Sequence, residues 1–253
     1  MTKSKSLRFP GGSGTRLAAR LDQPRETPIA HVLFAHCFTC TKDYKAVRRI
    51  SQVMAEHGYA VMSFDFTGLG DSEGDFAATT FSSNLDDLEA AAEYLARSHG
   101  EVGLLVGHSL GGAAVLGAAG RLPSVRAVAT IAAPSDTSQL ARRLDPAAEA
   151  ALHGETFTAR IGDREIRLGK ELVEDLRDHE LHPRISALSA PLLILHSPSD
   201  DVVGIEHARR IYRLATHPKS FVSLGNADHL LARDPADAEW VGHMLAAWAR
   251  RYV

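Results

Sequence analysis

The sequence lacks most of what would mark a metal protein, a membrane protein or a disulfide scaffold. It has only two cysteines in 253 residues, Cys37 and Cys40, too few for the bridged framework of a small secreted domain. No run approaches the ~18 apolar residues of a spanning helix. Residues 1–9 carry basic side chains but no apolar stretch that would read as an export signal. The 13 histidines are scattered, with no H-E-x-x-H and no metal-like cluster. A net charge of −3, with no dense Lys/Arg face, argues against a nucleic-acid partner. These absences predict a cytoplasmic chain with no metal or organic cofactor and neither a membrane nor a nucleic-acid partner.

What is present is ordinary for a globule with a sizeable core: 45% hydrophobic and 23% charged residues. The length fits one large α/β domain or two small ones. Residues 5–9 and 15–21 flank Pro10-Gly11-Gly12-Ser13-Gly14 and predict an opening hairpin. Continuous apolar runs at 29–35, 59–66, 102–106, 127–132, 191–196 and 220–224 read as strands, buried on both faces where the run is unbroken. Helical spacing recurs at 43–57, 82–98, 206–215 and 236–252, and small residues at 112–120 form another helix. Strand–helix alternation of this kind predicts a doubly wound, mostly parallel sheet covered on both faces. Residues 135–189 break the alternation. They are rich in charge, with a hairpin at 157–168 turning at Gly162-Asp163. The expected organisation is a core of residues 1–134 and 190–253 with an inserted lid at 135–189.

The most informative stretch is Gly107-His108-Ser109-Leu110-Gly111, between the strand at 102–106 and the helix at 112–120. A serine on an abrupt strand-to-helix turn is held out above the sheet, and the glycines either side let strand and helix approach without a Cβ clash. A second copy, Gly70-Asp71-Ser72-Glu73-Gly74, lacks a strand running straight into it. Ser72 therefore reads as a residue bracing a glycine-rich turn.

A serine hydroxyl near neutral pH needs a base, and the base needs an orienting acid. In doubly wound hydrolases the chain order is Ser, acid, His. The strand at 191–196 runs into Ser197-Pro198-Ser199-Asp200-Asp201, so Asp200 is the candidate acid, with Asp201 in reserve. The strand at 220–224 runs into Gly225-Asn226-Ala227-Asp228-His229, so His229 is the candidate base and Asp228 a loop-capping residue. A developing oxyanion needs two backbone donors. One follows the nucleophile, Leu110. The other belongs to the loop after the strand at 29–35, where Phe38 is the candidate. Cys37 and His108 are candidate substrate-pocket residues, while His36 and His196 read as supporting hydrogen-bond partners.

With these residues in hand, the chain resembles the α/β-hydrolase superfamily over nearly its whole length. The resemblance rests on His36-Cys37-Phe38, on Asp65-Phe66-Thr67-Gly68-Leu69-Gly70-Asp71-Ser72, on the Ser109 turn, on residues 196–203 and on Ala227-Asp228-His229. It most nearly resembles the hydrolase half of bacterial proteins that fuse an α/β-hydrolase to an OsmC-like peroxide-handling domain, and more distantly the cinnamoyl and feruloyl esterases. Most such relatives have glycine where Cys37 stands. The resemblance implies a serine hydrolase of small to medium carboxylic esters working through an acyl-enzyme. The same residues also suit a thioesterase or amidase. It further suggests an OsmC-like partner and leaves a homodimer open.

Two readings of another class compete. Cys37-x-x-Cys40 has redox spacing, but it does not open a helix in a thioredoxin-like unit, so reduced thiols lining the acyl pocket are the expectation. A non-catalytic ligand binder is disfavoured because Ser109, Asp200 and His229 are all in place.

Overall fold

The computed structural model describes residues 2–150, 155–161 and 164–253. In chain order the elements are β1 (Lys3–Pro10), β2 (Arg16–Gln23), β3 (His31–Ala35), α1 (Lys45–Glu56), β4 (Ala60–Phe64) and α2 (Phe81–Ser98). Then come β5 (Val102–His108), α3 (Leu110–Ala118), β6 (Ala127–Ile131), α4 (Ser138–Ala150), β7 (Thr156–Ile161) and β8 (Arg164–Gly169). The chain closes with α5 (Lys170–Asp178), α6 (His182–Ser186), β9 (Leu192–His196), α7 (Ile205–Leu214), β10 (Lys219–Ser223) and α8 (Pro235–Ala249).

Eight strands form one sheet in the order β1-β2-β4-β3-β5-β6-β9-β10. β2 pairs antiparallel with both neighbours, and every other pairing is parallel. The burial of each strand follows from its place. β4, β5, β6 and β9 are buried along their whole length, as strands covered on both faces must be, and they are the continuous apolar runs of the sequence. The edge strands β1 and β10 are mostly exposed or half-buried.

Helices cover the two faces. α1 and α8 pack on one side through Val47, Ile50, Met54, Val241 and Leu245. α2, α3 and α7 share the other core, with Leu85, Leu88, Val115 and Ile211 fully buried. Thr80 and Ser83 form a reciprocal capping box at the start of α2, satisfying donors that the first turn leaves open. This is the predicted doubly wound sheet. Among the described residues no helix is long and apolar enough to cross a membrane.

The inserted segment lies between β6 and β9 and holds α4, the β7–β8 hairpin, α5 and α6. The predicted hairpin turn at Gly162-Asp163 falls outside the described residues. Strand order reverses around β3: β4 lies on one side of it and β5 on the other. The carboxyl ends of β3 and β5 therefore diverge into a crevice, the usual place for a ligand in an open α/β sheet.

Close approach at that crevice depends on missing side chains. A Cβ on Gly111 would run into the carbonyl oxygens of Ala35 and His36, and one on Gly107 into the Gly111 carbonyl. A Cβ on Gly120, just beyond α3, would meet open space. Gly111→Ala is expected to lower the unfolding free energy by about 2–3 kcal/mol through overpacking. Gly120→Ala should leave it unchanged or raise it by up to ~1 kcal/mol through reduced unfolded-state freedom. Urea unfolding of the two variants beside the parent protein checks both.

Candidate active site

The chain leaves β5 at His108 and enters α3 at Leu110, so one residue, Ser109, makes the whole turn. It does so with φ 54° and ψ −123°, a left-handed conformation rare for a residue with a side chain. Such a residue stores about 1–3 kcal/mol of strain, held in place by its surroundings. Here the restraint is visible. The Ser109 N–H donates to the Ile131 carbonyl of β6 at 2.8 Å, and its own carbonyl accepts from Gly112 and Ala113 in the first turn of α3.

Two distant loops meet this serine. His229 Nε2 lies 2.9 Å from Ser109 Oγ, and His229 Nδ1 lies 2.8 Å from Asp200 Oδ2. The other Asp200 oxygen accepts the Val202 and Val203 N–H groups, each at 2.9 Å. Burial alone would push the Asp200 carboxyl up. The His229 hydrogen bond and charge and the two backbone donors outweigh it, and the group lies below the usual carboxylate range. An ionised carboxylate can only accept, so His229 Nδ1 carries the proton. In the neutral imidazole, Nε2 is then a lone pair facing the Ser109 hydroxyl. Asp201, the reserve candidate, is exposed. Asp228 accepts the Ala232 and Arg233 N–H groups as a loop cap.

His108 is not where the sequence suggested. It is absent from the cavity wall and lies buried beneath the relay, its Nε2 donating to the His229 carbonyl at 2.7 Å. A histidine just before an outward-turned serine sits on the other side of the backbone, and here it steadies the His229 loop. Burial, reinforced by the facing His229, lowers its pKa to about 3, so it stays neutral. His196 donates to the Val203 carbonyl and His36 to the Cys37 carbonyl, and burial pushes both below the ordinary histidine value.

Phe38 and Leu110, the two candidate backbone donors, both line the same cavity as Ser109 and His229. Among the described residues neither N–H has a protein acceptor. For Leu110 this follows from its place at the start of a helix. The loop that carries Phe38 is anchored by a cluster that sequence reading missed. The fully buried Asp65 accepts Lys42 N at 2.6 Å, Lys42 Nζ at 2.9 Å and Asp71 N at 3.0 Å. Lys42 Nζ also reaches Asp71 at 2.6 Å and Asp43 at 2.9 Å. Burial would lower the Lys42 pKa, but these three carboxylates outweigh it and raise it. Ser72, in the second G-x-S-x-G, braces the same corner: its hydroxyl donates to the Asp65 carbonyl and accepts the Ala18 N–H.

The cysteines correct a second expectation. Cys37 and Cys40 are joined by a disulfide, and are not reduced thiols. Both line the cavity, as proposed for Cys37. The short Cys-x-x-Cys turn closes with the Cys40 N–H donating to the Cys37 carbonyl at 3.0 Å, which brings the two Cα atoms to 5.2 Å. That distance lies within the range a disulfide spans.

The cavity at the crevice has a volume of about 560 Å³, within the usual range for small-molecule sites. The core supplies Ser109, His229 and the Cys37–Thr41 loop to its wall. The inserted segment supplies Leu140, Arg143 and Leu144 from α4, with Arg160 and Ile161 from β7. The arginines are a further feature that sequence reading left unassigned, because nothing in their local pattern shows which way the insertion folds.

Comparison with known proteins agrees with this picture. A model described as the alpha/beta hydrolase family matches residues 32–253. The crystal structure of the esterase domain of a Rhodothermus marinus protein is 46% identical, covers 99% of each chain and superposes with a TM-score of 0.82. Est1E of Butyrivibrio proteoclasticus, solved with ferulic acid bound, shares the fold at 20% identity. It covers 94% of this chain and 97% of its own, with a TM-score of 0.80. The uncharacterized protein YfhR of Escherichia coli (strain K12) is 23% identical over 241 residues, which span 90% of this chain and 74% of YfhR.

The state of His108 carries a pH dependence. A histidine with a lowered pKa in the folded state binds its proton more readily when unfolded. Its effect on stability is nil above about pH 6.5 and grows as the pH falls from there toward 3. Between pH 7.5 and 5 this one residue should remove about 2 kcal/mol of stability. His108→Gln, with a donor at the same reach, should flatten that part of the profile. Denaturant midpoints measured every half pH unit would check it, and equal slopes for the two proteins would refute the assignment.

Proposed function

This chain belongs to the alpha/beta hydrolase family, and we propose that within it the protein hydrolyses carboxylic esters of small to medium acyl groups through an acyl-enzyme on Ser109. One observation carries the reading. An unbroken hydrogen-bonded line runs from the Asp200 carboxylate through His229 to the Ser109 hydroxyl, and it ends at a cavity lined by Phe38 and Leu110, whose N–H groups have no protein acceptor among the described residues.

The steps follow from the proton positions. Ser109 Oγ attacks the acyl carbon while His229 Nε2 takes its proton. Asp200, held ionised by its three donors, stabilises the imidazolium and keeps the ring oriented. Negative charge gathers on the former carbonyl oxygen, which the Phe38 and Leu110 N–H groups receive. These donors gain most when the charge is largest, so they act on the transition state more than on the bound ester. His229 then returns the proton to the leaving alcohol. Water enters, loses its proton to the same nitrogen and attacks the acyl carbon, and Ser109 is released with the acid.

Each residue has a separate prediction. Ser109→Ala should lower kcat by on the order of 10⁶-fold with the fold unchanged. Asp200→Asn should cost on the order of 10⁴-fold, because the amide favours the wrong imidazole tautomer. The exposed neighbour Asp201→Asn should turn over like the parent. A fluorophosphonate probe followed by peptide mapping should label Ser109 and nothing in the Ser109→Ala protein. Turnover retained by that variant would sink the proposal.

Acyl size is set by the cavity. At about 560 Å³, with arginines among its apolar walls, it suits compact acids better than long alkyl chains. Across a panel of p-nitrophenyl esters graded by chain length, kcat/KM should peak at short to medium acids. A preference for long-chain triglycerides would contradict this.

A further inference from the structure

We propose that the Cys37–Cys40 disulfide is a redox site in its own right, taking electrons from a small dithiol and thereby controlling the position of the Phe38 N–H. The control it exerts rests on the esterase reading, whereas the redox chemistry does not.

Three observations carry it. First, the bond encloses Phe38 and Thr39 and nothing else, at a sequence separation of 3. A disulfide stabilises a fold mainly by restricting the unfolded chain, and a loop this short restricts it least. Its effect is local to the turn it closes. That turn holds the backbone donor proposed for the oxyanion, and its next residue, Thr39, has φ 66°, a left-handed conformation outside the preference of a β-branched residue.

Second, the turn is anchored at both ends. His36 bonds to the Cys37 carbonyl, and Lys42 is locked to Asp65, Asp71 and Asp43. Between these anchors the disulfide joins the Cys40-to-Cys37 and Tyr44-to-Thr41 backbone bonds and the Phe38–Phe76 ring contact among the ties that shape residues 37–41. Opening the covalent tie loosens this segment while leaving its anchors in place.

Third, both cysteines, though largely buried, line space that a solute can enter. Cys40 belongs to the wall of the 560 Å³ cavity and also to that of a second cavity of about 570 Å³ behind the loop, bounded by Gly68, Gly74 and Arg167. Thr39, Cys40 and Thr41 line both. Of these two cavities Cys37 lines only the first, and as a residue it is 3% exposed against 8% for Cys40. Attack therefore falls on Cys40.

The exchange balances with a dithiol as co-reactant. One thiolate of the reagent attacks Cys40 Sγ, the S–S bond breaks, and its electron pair leaves on Cys37 Sγ as a thiolate. The reagent's second thiolate attacks its own sulfur in the mixed disulfide and expels the Cys40 thiolate. The reagent leaves as a cyclic disulfide. Two electrons pass to the protein, and the two protons end on Cys37 and Cys40.

The test uses the intact protein prepared without reductant. Before treatment no thiol should react with Ellman's reagent. After incubation with dithiothreitol and desalting, two thiols per chain should react without denaturant. Turnover of a short-chain p-nitrophenyl ester should then fall about tenfold, in kcat more than in KM, and return on oxidation with oxidised glutathione. The double variant Cys37→Ser, Cys40→Ser should have the low kcat and ignore dithiothreitol. Thiols that appear only in denaturant overturn the site, and thiols that appear in the folded protein with kcat unchanged overturn its control of Phe38. Should the oxidised protein turn over no ester and take no fluorophosphonate label, the esterase reading fails. The thiol count in the folded protein then decides the redox site alone.

Discussion

The left-handed turn at Ser109 is the constraint on which the rest of the site depends. A strand and a helix packed as closely as β5 and α3 cannot be joined by a relaxed residue, and the strain falls on Ser109. It is held by the Ile131 carbonyl on one side and by the first turn of α3 on the other. Because the turn is so abrupt, the Ser109 side chain leaves the sheet at its carboxyl edge. The next N–H, that of Leu110, opens α3 with no protein acceptor among the described residues. The proposed nucleophile and one of the proposed oxyanion donors are thus two consequences of one backbone conformation.

The second donor has no such local cause. Phe38 is brought beside Ser109 by sheet order, since β3 and β5 are neighbours and the loops leaving them share one crevice. What keeps the loop there is Asp65, which no water reaches and which gathers Lys42 Nζ and two backbone donors. Burying a carboxylate and an ammonium together is a poor way to gain stability, because desolvation offsets most of the attraction. Its value lies in direction. Removing Lys42 would leave the buried Asp65 charge without a cation, so few alternative arrangements of this corner are tolerable. The cluster trades net stability for a single placement of the oxyanion loop.

Much of this was legible in the sequence. Central strands buried on both faces cannot alternate, so unbroken apolar runs mark them, and each predicted strand lies within a residue or two of its place. The order Ser109, Asp200, His229 was also readable, because each residue follows a strand and strand ends gather at one edge. Asp200 rather than Asp201 meets His229 for a reason spacing only hints at: the turn after β9 folds the Val202 and Val203 N–H groups back onto the first aspartate and leaves the second in solvent. Other features depend on contacts between distant segments that leave no periodic trace. The Lys42–Asp65–Asp71 cluster reads locally as two ordinary charged loops. His108 looks like a pocket residue until the turn that projects Ser109 is seen to send its neighbour the other way. The cysteines were misread because redox pairs are expected at helix starts, whereas here a tight turn brings the sulfurs together.

The two parts of the chain divide the work unequally. The Ser109, His229 and Asp200 side chains and both backbone donors all belong to the sheet and its loops, and are held by bonds internal to the core. The inserted segment supplies walls only: Leu140 and Leu144 for apolar contact, Arg143 and Arg160 for charge. Its few ties to the core across the cavity include the Arg143 hydrogen bond to the Val202 carbonyl, beside the loop that orients Asp200. Changes in α4 or β7 that keep the Arg143 bond can therefore reshape what enters without disturbing proton positions, while a change in the Ser109 turn or the Asp65 cluster alters the geometry around Ser109 whatever the ligand. In the proposed reaction, selection of the ester and transfer of its acyl group are therefore largely separable, because the atoms that do the second are fixed mainly by the sheet and its loops.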